Sequence, residues 1–311
     1  LGLILALVLT GPGWASTLGS SYKGTTTAGF LKLGIGARAM SMGEAYSAVA
    51  DEASALYWNP AALTRIPKHS ATLMHAAYID SSFFDYAAYG QRLGVSGAWG
   101  AGLTYFSAGQ MTETDATGTE VGTFSPHDLA FSVGYAHETR ENVPAVMTGY
   151  SFGIAGKYIR STILDSAQTW AVDLGILSPA YLDGKMRLAL AVANLGEPMR
   201  FEQEREELPL SLRLGSAFKV GKRWLASMDL GFPTDNAPFA ALGTEYQIPV
   251  TDDWHLSGRM GFNSRTIGDI DGFTGVSFGL GLACHEYGVS YAFLPLGSVG
   301  LAHRISLSFR F

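Results

Sequence analysis

This sequence predicts an all-β transmembrane protein, an antiparallel outer-membrane β-barrel of about fourteen strands with an N-terminal plug. Three observations predict it. Charged residues make up 15% of the 311-residue chain, against roughly 25% in ordinary globular proteins. The apolar residues fall in short alternating stretches, not in the runs of about 18 or more that a membrane helix needs. The faces opposite them carry Gly, Ala and Ser with scattered charges, where a sandwich surface in water would carry Lys, Glu and Thr.

In chain order, the first region is residues 1–15. Leu1 to Thr10 are apolar, Gly11, Pro12 and Gly13 break the run, and Ala15–Ser16 fits a cleavage point. This reads as the end of a signal peptide without its Met start and basic region, with a short buried strand or helix as the alternative. A signal peptide implies export past the inner membrane. Residues 16–68 are expected to form a hatch. From Ala28 onward they do not alternate, and they are rich in small residues that allow close packing. Asn59-Pro60 is a turn or helix-start signal just ahead of the first strand.

Residues 69–311 are expected to form the barrel. In the last stretch Leu301, His303, Ile305, Leu307, Phe309 and Phe311 alternate with Ala302, Arg304, Ser306, Ser308 and Arg310. Neighbouring side chains of a strand point to opposite faces, so the first set faces lipid and the second the lumen. The same alternation places strands near 70–78, 83–91, 96–107, 126–137, 147–160, 169–179, 186–193, 208–219, 224–232, 238–248, 254–262, 272–283, 285–294 and 301–311. Tyr105, Phe106, Tyr135, Tyr150, Trp170, Trp224 and Trp254 lie near strand ends, where interfacial aromatic girdles sit. Connections after odd-numbered strands are mostly long (112–124, 161–168, 196–207 and 263–271), and those after even-numbered strands mostly short, as at Asp183–Gly184 and Gly221–Lys222. Barrels of this class carry long loops outside the cell and short periplasmic turns. The even strand count then puts both termini in the periplasm.

Other function classes lack their signatures. The net charge of −6, with no basic block, argues against nucleic acid as a partner. Cys284 is the single cysteine and lies outside any lipobox. The seven histidines have no metal-ligand spacing. Asp269-Ile270-Asp271-Gly272 lacks the remaining ligands of a calcium loop and reads as a solvated loop. There is no Gly-x-Ser-x-Gly element, and no Rossmann pattern follows Gly34-x-Gly36. No enzyme activity, metal or cofactor is expected.

The stretch Gly36-Ala37-Arg38-Ala39-Met40-Ser41-Met42-Gly43-Glu44-Ala45, with Ala50-Asp51-Glu52-Ala53-Ser54-Ala55 and Trp58-Asn59-Pro60-Ala61-Ala62-Leu63, resembles the PorV/PorQ family of outer-membrane proteins. That family is related to the FadL-type long-chain fatty-acid transporters. Weaker matches are Asn194-Leu195-Gly196, the run from Leu208 to Gly215, and the Phe-terminated end. The resemblance implies a fourteen-stranded barrel with an N-terminal hatch. The functions found among such proteins are docking or shuttling of exported proteins in type IX secretion, the reading favoured here, and passive transport of hydrophobic small molecules; a structural role in envelope organisation is a third reading. The hatch motif residues that the resemblance singles out are Arg38, Met40, Met42, Gly43, Glu44, Asp51, Glu52, Ser54, Trp58, Asn59 and Pro60. Phe309 and Phe311 resemble the C-terminal signal read by the barrel assembly machinery.

The expected partners are outer-membrane lipid, the assembly machinery, and either secreted proteins and secretion components or a hydrophobic small molecule. The inward charges Asp173, Arg187, Arg213, Asp229, Glu245, Arg259, Arg304 and Arg310 are expected to pair with one another or with the hatch, because buried charges need partners. Arg38, Asp51 and Glu52 are the expected hatch members of that network. Met40, Met42 and Leu56 would line any apolar path beside the hatch. The acidic stretch Glu197, Glu202, Glu204, Glu206 and Glu207 reads as a solvated loop.

Overall fold

The computed structural model describes residues 26–78, 81–140, 143–201, 204–267 and 270–311. The expected signal peptide and the start of the expected hatch lie outside these residues. Among them, fourteen antiparallel strands close into one barrel. They are β1 (His69–Ala77), β2 (Phe83–Leu93), β3 (Gly97–Ser107), β6 (His127–Glu138), β7 (Ser151–Thr162), β8 (Ser166–Leu177), β9 (Met186–Gly196), β12 (Ser211–Val220), β13 (Trp224–Pro233), β14 (Phe239–Pro249), β15 (Trp254–Asn263), β16 (Val276–Cys284), β17 (Tyr287–Pro295) and β18 (Leu301–Arg310). Closure comes from β1 pairing with β18, from Ser70↔Arg310 to Ala77↔His303. No barrel edge is left unpaired, which hydrocarbon requires. No helix among the described residues is long and apolar enough to cross a membrane.

The strand alternation appears as two unlike faces. On β18, Leu301 and Ile305 are each 51% exposed, whereas Ala302 and Arg304 are 1% and 3% exposed. Leu103, Phe131, Val133, Ile154, Trp170, Leu242, Met260 and Leu280 join the outer apolar belt. An outward apolar belt opposite an inward polar face is the pattern of a transmembrane barrel.

Two short hairpins form sheets of their own, β4 (Met111–Thr114) with β5 (Glu120–Phe124), and β10 (Met199–Phe201) with β11 (Glu204–Glu206); β10 packs on β8 and buries Met199 fully. Both occupy connections expected to be loops. The expected loop over 161–168 is instead a tight hairpin, with only residues 163–165 outside strands. Tyr158 donates a hydrogen bond to Gln168 and packs on Trp170, which carries the pairing outward. The other three connections expected to be long, 108–126, 197–210 and 264–275, share one mouth, here the loop end; the connection 139–150 is the long exception at the opposite mouth. The opposite mouth, where β1 begins and β18 finishes, is the turn end.

Residues 29–66 lie within the wall. A 3-10 turn (Gly29–Lys32), helix α1 (Ala37–Ser41), helix α2 (Ala55–Trp58) and a second 3-10 turn (Pro60–Arg65) are joined by tight turns. α1 packs on β15–β18, while the second turn packs on β2, β3, β6, β7 and β8, the opposite side of the ring. A segment that touches both sides runs through the lumen. Its first described residues sit at the loop end, where Thr26 pairs with Glu207 and its hydroxyl donates to Asp235 at 2.5 Å. Strand parity puts the first residue of β1 and the last of β18 at the turn end, as observed. The passage through the lumen carries Thr26 to the other mouth.

Candidate functional site

The filled lumen is the candidate site, and the segment's main chain rests directly on that of the wall. Gly43 has φ +64°, and a Cβ there would stand 2.5 Å from the Phe262 carbonyl oxygen and 2.8 Å from that of Leu242. Only glycine meets both demands, a left-handed backbone and no side chain. A Cβ on the facing Gly261 would overlap the Gly43 backbone. Ala37 N–H donates to Ser306 Oγ at 2.8 Å, and Asn263 Nδ2 donates to the Gly43 carbonyl at 3.0 Å. Met42 is fully buried in the core, and Met40 lies beside Gly34.

Arg38 is the centre of the first ionic cluster. Its Nε and Nη2 donate to both oxygens of Glu245 at 2.8 and 2.9 Å, and its Nη1 donates to Asp51 at 2.7 Å. Arg259 donates to the same Glu245 at 2.7 Å, and Arg310 reaches Asp51 at 3.3 Å and Glu52 at 3.4 Å. Glu52 also accepts from Ser54 Oγ at 3.1 Å and from the Tyr46 hydroxyl at 3.3 Å. Burial alone would raise the Asp51 carboxyl, but Arg38, Arg310 and Arg65 outweigh it and hold it well below the ordinary carboxylate range.

A second cluster lies at the loop end. Glu44 accepts from Arg265 at 2.7 Å and from Arg213 at 3.2 Å. Burial pushes its carboxyl up, and Arg265 and Arg213 together bring it below the ordinary value. Arg213 also lies over the Trp58 ring at 5.0 Å, and Arg265 over Phe239 at 4.2 Å. The Trp58 indole donates to the Ile35 carbonyl at 3.0 Å.

The remaining inward charges differ in what they meet. Asp173 pairs with Lys157 at 2.7 Å. Lys157 also donates to Asn194 Oδ1 at 2.8 Å, and Asn194 N–H donates to Asp173 at 2.8 Å. Asn194, at φ +63°, sits beside a register shift between β8 and β9 that turns these groups together. Arg304 donates to the Gly34 carbonyl and the Tyr78 hydroxyl. Asp229 meets the N-terminal segment through its backbone, accepting the Ser47 N–H at 3.1 Å. Arg187 differs from the others: it makes no ion pair or side-chain hydrogen bond among the described residues, and Glu138, whose charge acts on it, is already paired with Arg140 at 2.9 Å.

On the opposite arc, Asn59-Pro60 starts the second 3-10 turn, with Pro60 at its first position. Asn59 Oδ1 accepts from Ala61 N–H at 3.1 Å, and its Nδ2 donates to the Ser47 and Ile176 carbonyls at 3.2 Å. Gly153 and Gly175 leave the space that Asn59, Pro60 and Ala61 occupy. Leu56 and Leu63 fill the recesses over Gly134 and Gly100.

Outside this region, Phe309 meets Tyr287 edge-on at 5.7 Å and Phe311 stacks on His69 at 5.1 Å. Among the described residues no group of three or more His, Cys, Asp or Glu is placed to hold a metal ion.

A family profile described as Type IX secretion system protein PorV matches residues 20–222. The chain belongs to the PorV family. This PorV-family barrel also resembles solved transporter structures. The Pseudomonas putida toluene transporter TodX aligns with a TM-score of 0.55 at 12% identity, over 88% of this chain and 96% of TodX. The Ralstonia pickettii toluene transporter TbuX aligns at 0.53 and 12%, over 89% and 98%. A Pseudomonas aeruginosa FadL homologue aligns at 0.55 and 12%, over 92% and 98%. At such identities the likeness establishes the fold, that of a FadL-like β-barrel. No curated protein sequence matches the chain.

The PorV-family segment also uses residues that the motif reading passed over. Arg265 and Lys157 complete two of the ionic clusters. Arg65 donates to the Ala48, Val49 and Ala50 carbonyls at 3.0, 2.9 and 3.2 Å. Lys157 was legible as an inward residue from the alternation Ser151, Gly153, Lys157. Arg265 lies in a connection, where alternation gives no direction.

Proposed function

We propose that this chain is a sealed outer-membrane barrel that docks or shuttles exported proteins in a type IX-like secretion pathway, with residues 29–66 as its plug. The observation that carries this reading is the lumen itself. Its N-terminal segment is braced on opposite arcs by buried ion pairs and by main-chain contact, an arrangement suited to a platform rather than an open pore. Membership of the PorV family supports the same reading. Exported proteins or secretion components would meet the loop end, where the connections that carry hairpins β4–β5 and β10–β11 lie. The bilayer of a Gram-negative-type outer membrane would cover the apolar belt, with the chain crossing it many times. Phe309 and Phe311 would be read by the barrel assembly machinery. The motif residues act in this proposal as structural fasteners, with no catalytic step.

A second reading has one specific observation in its favour. A mainly apolar cavity of about 210 Å³ lies at the loop end between the segment and β15–β18, lined by Leu33, Met40, Val276, Leu294 and Leu296 with Arg265 and Arg304 at its polar side. It would suit a small hydrophobic molecule, such as the toluene named for the relatives TodX and TbuX. Met42 and Leu56 lie in the packed core instead. Affinity capture of the tagged chain from detergent-solubilised outer membrane, with lipid analysis of the same eluate, separates the two readings. Docking predicts co-purified secreted proteins sharing a C-terminal domain. Bound hydrocarbon or fatty acid without such proteins would favour transport.

A further inference from the structure

The chain carries a net charge of −6, yet one part of the turn end is strongly basic. Four successive inward positions there are cationic: Lys185 and Arg187 at the start of β9, Lys219 near the end of β12, and Arg223 just before β13. Their direction follows from register. Arg187 is opposite Ala217, and Leu225 is opposite Glu245, whose carboxylate binds Arg38 inside the lumen. Lys219 N–H donates to the Lys185 carbonyl at 2.8 Å, so the two chains remain side by side beyond the barrel ladder.

These cations and Arg65 line a cavity of about 170 Å³. Its two carboxylates, Asp51 and Glu245, are already taken by Arg38, Arg259 and Arg310. None of Lys185, Arg187, Lys219 and Arg223 has an ion-pair partner among the described residues. Like charges brought together at a lumen mouth repel one another, and the arrangement is relieved when an anion binds. The cavity also has an apolar side, formed by Val49, Ala217 and Leu225.

We propose that this mouth is a docking site for an acidic polypeptide segment. Cations spaced over three adjacent strands match several carboxylates along a chain better than a single small anion, and the apolar side offers a seat for a neighbouring side chain. The cations point into the lumen, away from the lipid-facing wall, so a phospholipid would have to leave its leaflet to reach them. The acidic stretch of this chain around Glu206 lies at the opposite mouth and does not fill the site. The proposal rests on the barrel and its charges, not on docking at the loop end, so either can fail without the other.

The test uses the full chain in detergent micelles and a fluorescein-labelled oligoglutamate, followed by anisotropy at low salt. The wild type should bind, with affinity falling as salt is added. The variant Lys185→Glu/Lys219→Glu/Arg223→Glu should bind at least about tenfold more weakly, while Lys68→Glu, an exposed change elsewhere at the turn end, should match wild type. Unheated gel migration checks that each variant remains a compact barrel. If the triple reversal does not fold, Lys185→Gln/Lys219→Gln replaces it, with a loss of about threefold expected. Absence of wild-type binding, or a folded variant with unchanged affinity, would overturn the proposal. So would full competition by millimolar inorganic phosphate, or equal binding to phosphatidylglycerol vesicles, because each assigns the site to another anion.

Discussion

The two arcs that grip the N-terminal segment hold it by different physics. On the β2–β8 arc the contacts are short-range: Leu56 and Leu63 sit in glycine recesses, and Asn59 satisfies three backbone groups. On the β12–β18 arc, buried arginines and carboxylates interlock through Arg38, Glu245, Asp51 and Glu44. A shape-dependent contact is lost when one atom is added. An ionic cluster tolerates changes that remove charges in pairs and fails when one charge is left alone. The glycine wall under Gly43 brings a shape-dependent contact to the ionic arc as well.

The largest effect should therefore come from that wall. Gly261→Val should destabilise the barrel by about 3 kcal/mol or more, because the added atoms overlap the Gly43 backbone. Gly156→Val, where a Cβ meets nothing within 4 Å, is the control and should be near neutral by thermal unfolding in detergent. Next, Arg38→Met should cost about 3 kcal/mol by stranding part of the Glu245 and Asp51 charge. Adding Glu245→Met should recover part of that loss, although Arg259 then lacks its carboxylate. A double-mutant cycle that returned simple additivity would deny the coupling.

On the apolar arc, Leu63→Ala should cost about 2–3 kcal/mol with no salt dependence, and a strong dependence would erase the contrast between the arcs. Asn59→Ala should cost about 1–2 kcal/mol through the lost cap and the orphaned carbonyls. The smallest effect is that of pH. The carboxyls of Glu44 and Asp51 are both held below their ordinary values. Their stabilisation is complete above pH 4.5, the higher of the two ordinary values, and is lost as pH falls through the lower folded ones. Acidification below about pH 4 should lower the unfolding midpoint, and Glu44→Gln should lessen that drop.

The barrel was legible because a strand repeats every two residues, so Leu301 to Phe311 declares both its faces without help from the rest of the chain. Asn59-Pro60 was legible for a similar reason, since its cap and turn are local. Pairings were not legible in the same way. That Arg38 would meet Glu245 depends on strand registers separated by two hundred residues of chain, which no local pattern encodes. Asp229 illustrates the limit, because its partner is a backbone N–H with no signature in sequence. The hairpins β4–β5 and β10–β11 were missed because strands of three to five residues are too short for alternation to declare a face. The position of Thr26 at the loop end was not legible, because strand parity counts crossings of the wall and not passage through the lumen.

The most direct test of the central claim, that ionic contacts seat the N-terminal segment so that it seals the lumen, is planar-bilayer conductance of wild type against Arg38→Gln/Asp51→Asn/Glu52→Gln. Wild type should give a quiet baseline, and the triple variant should give discrete conductance steps as the plug loosens. A folded variant as silent as wild type, or wild type that conducts steadily by itself, would contradict the account.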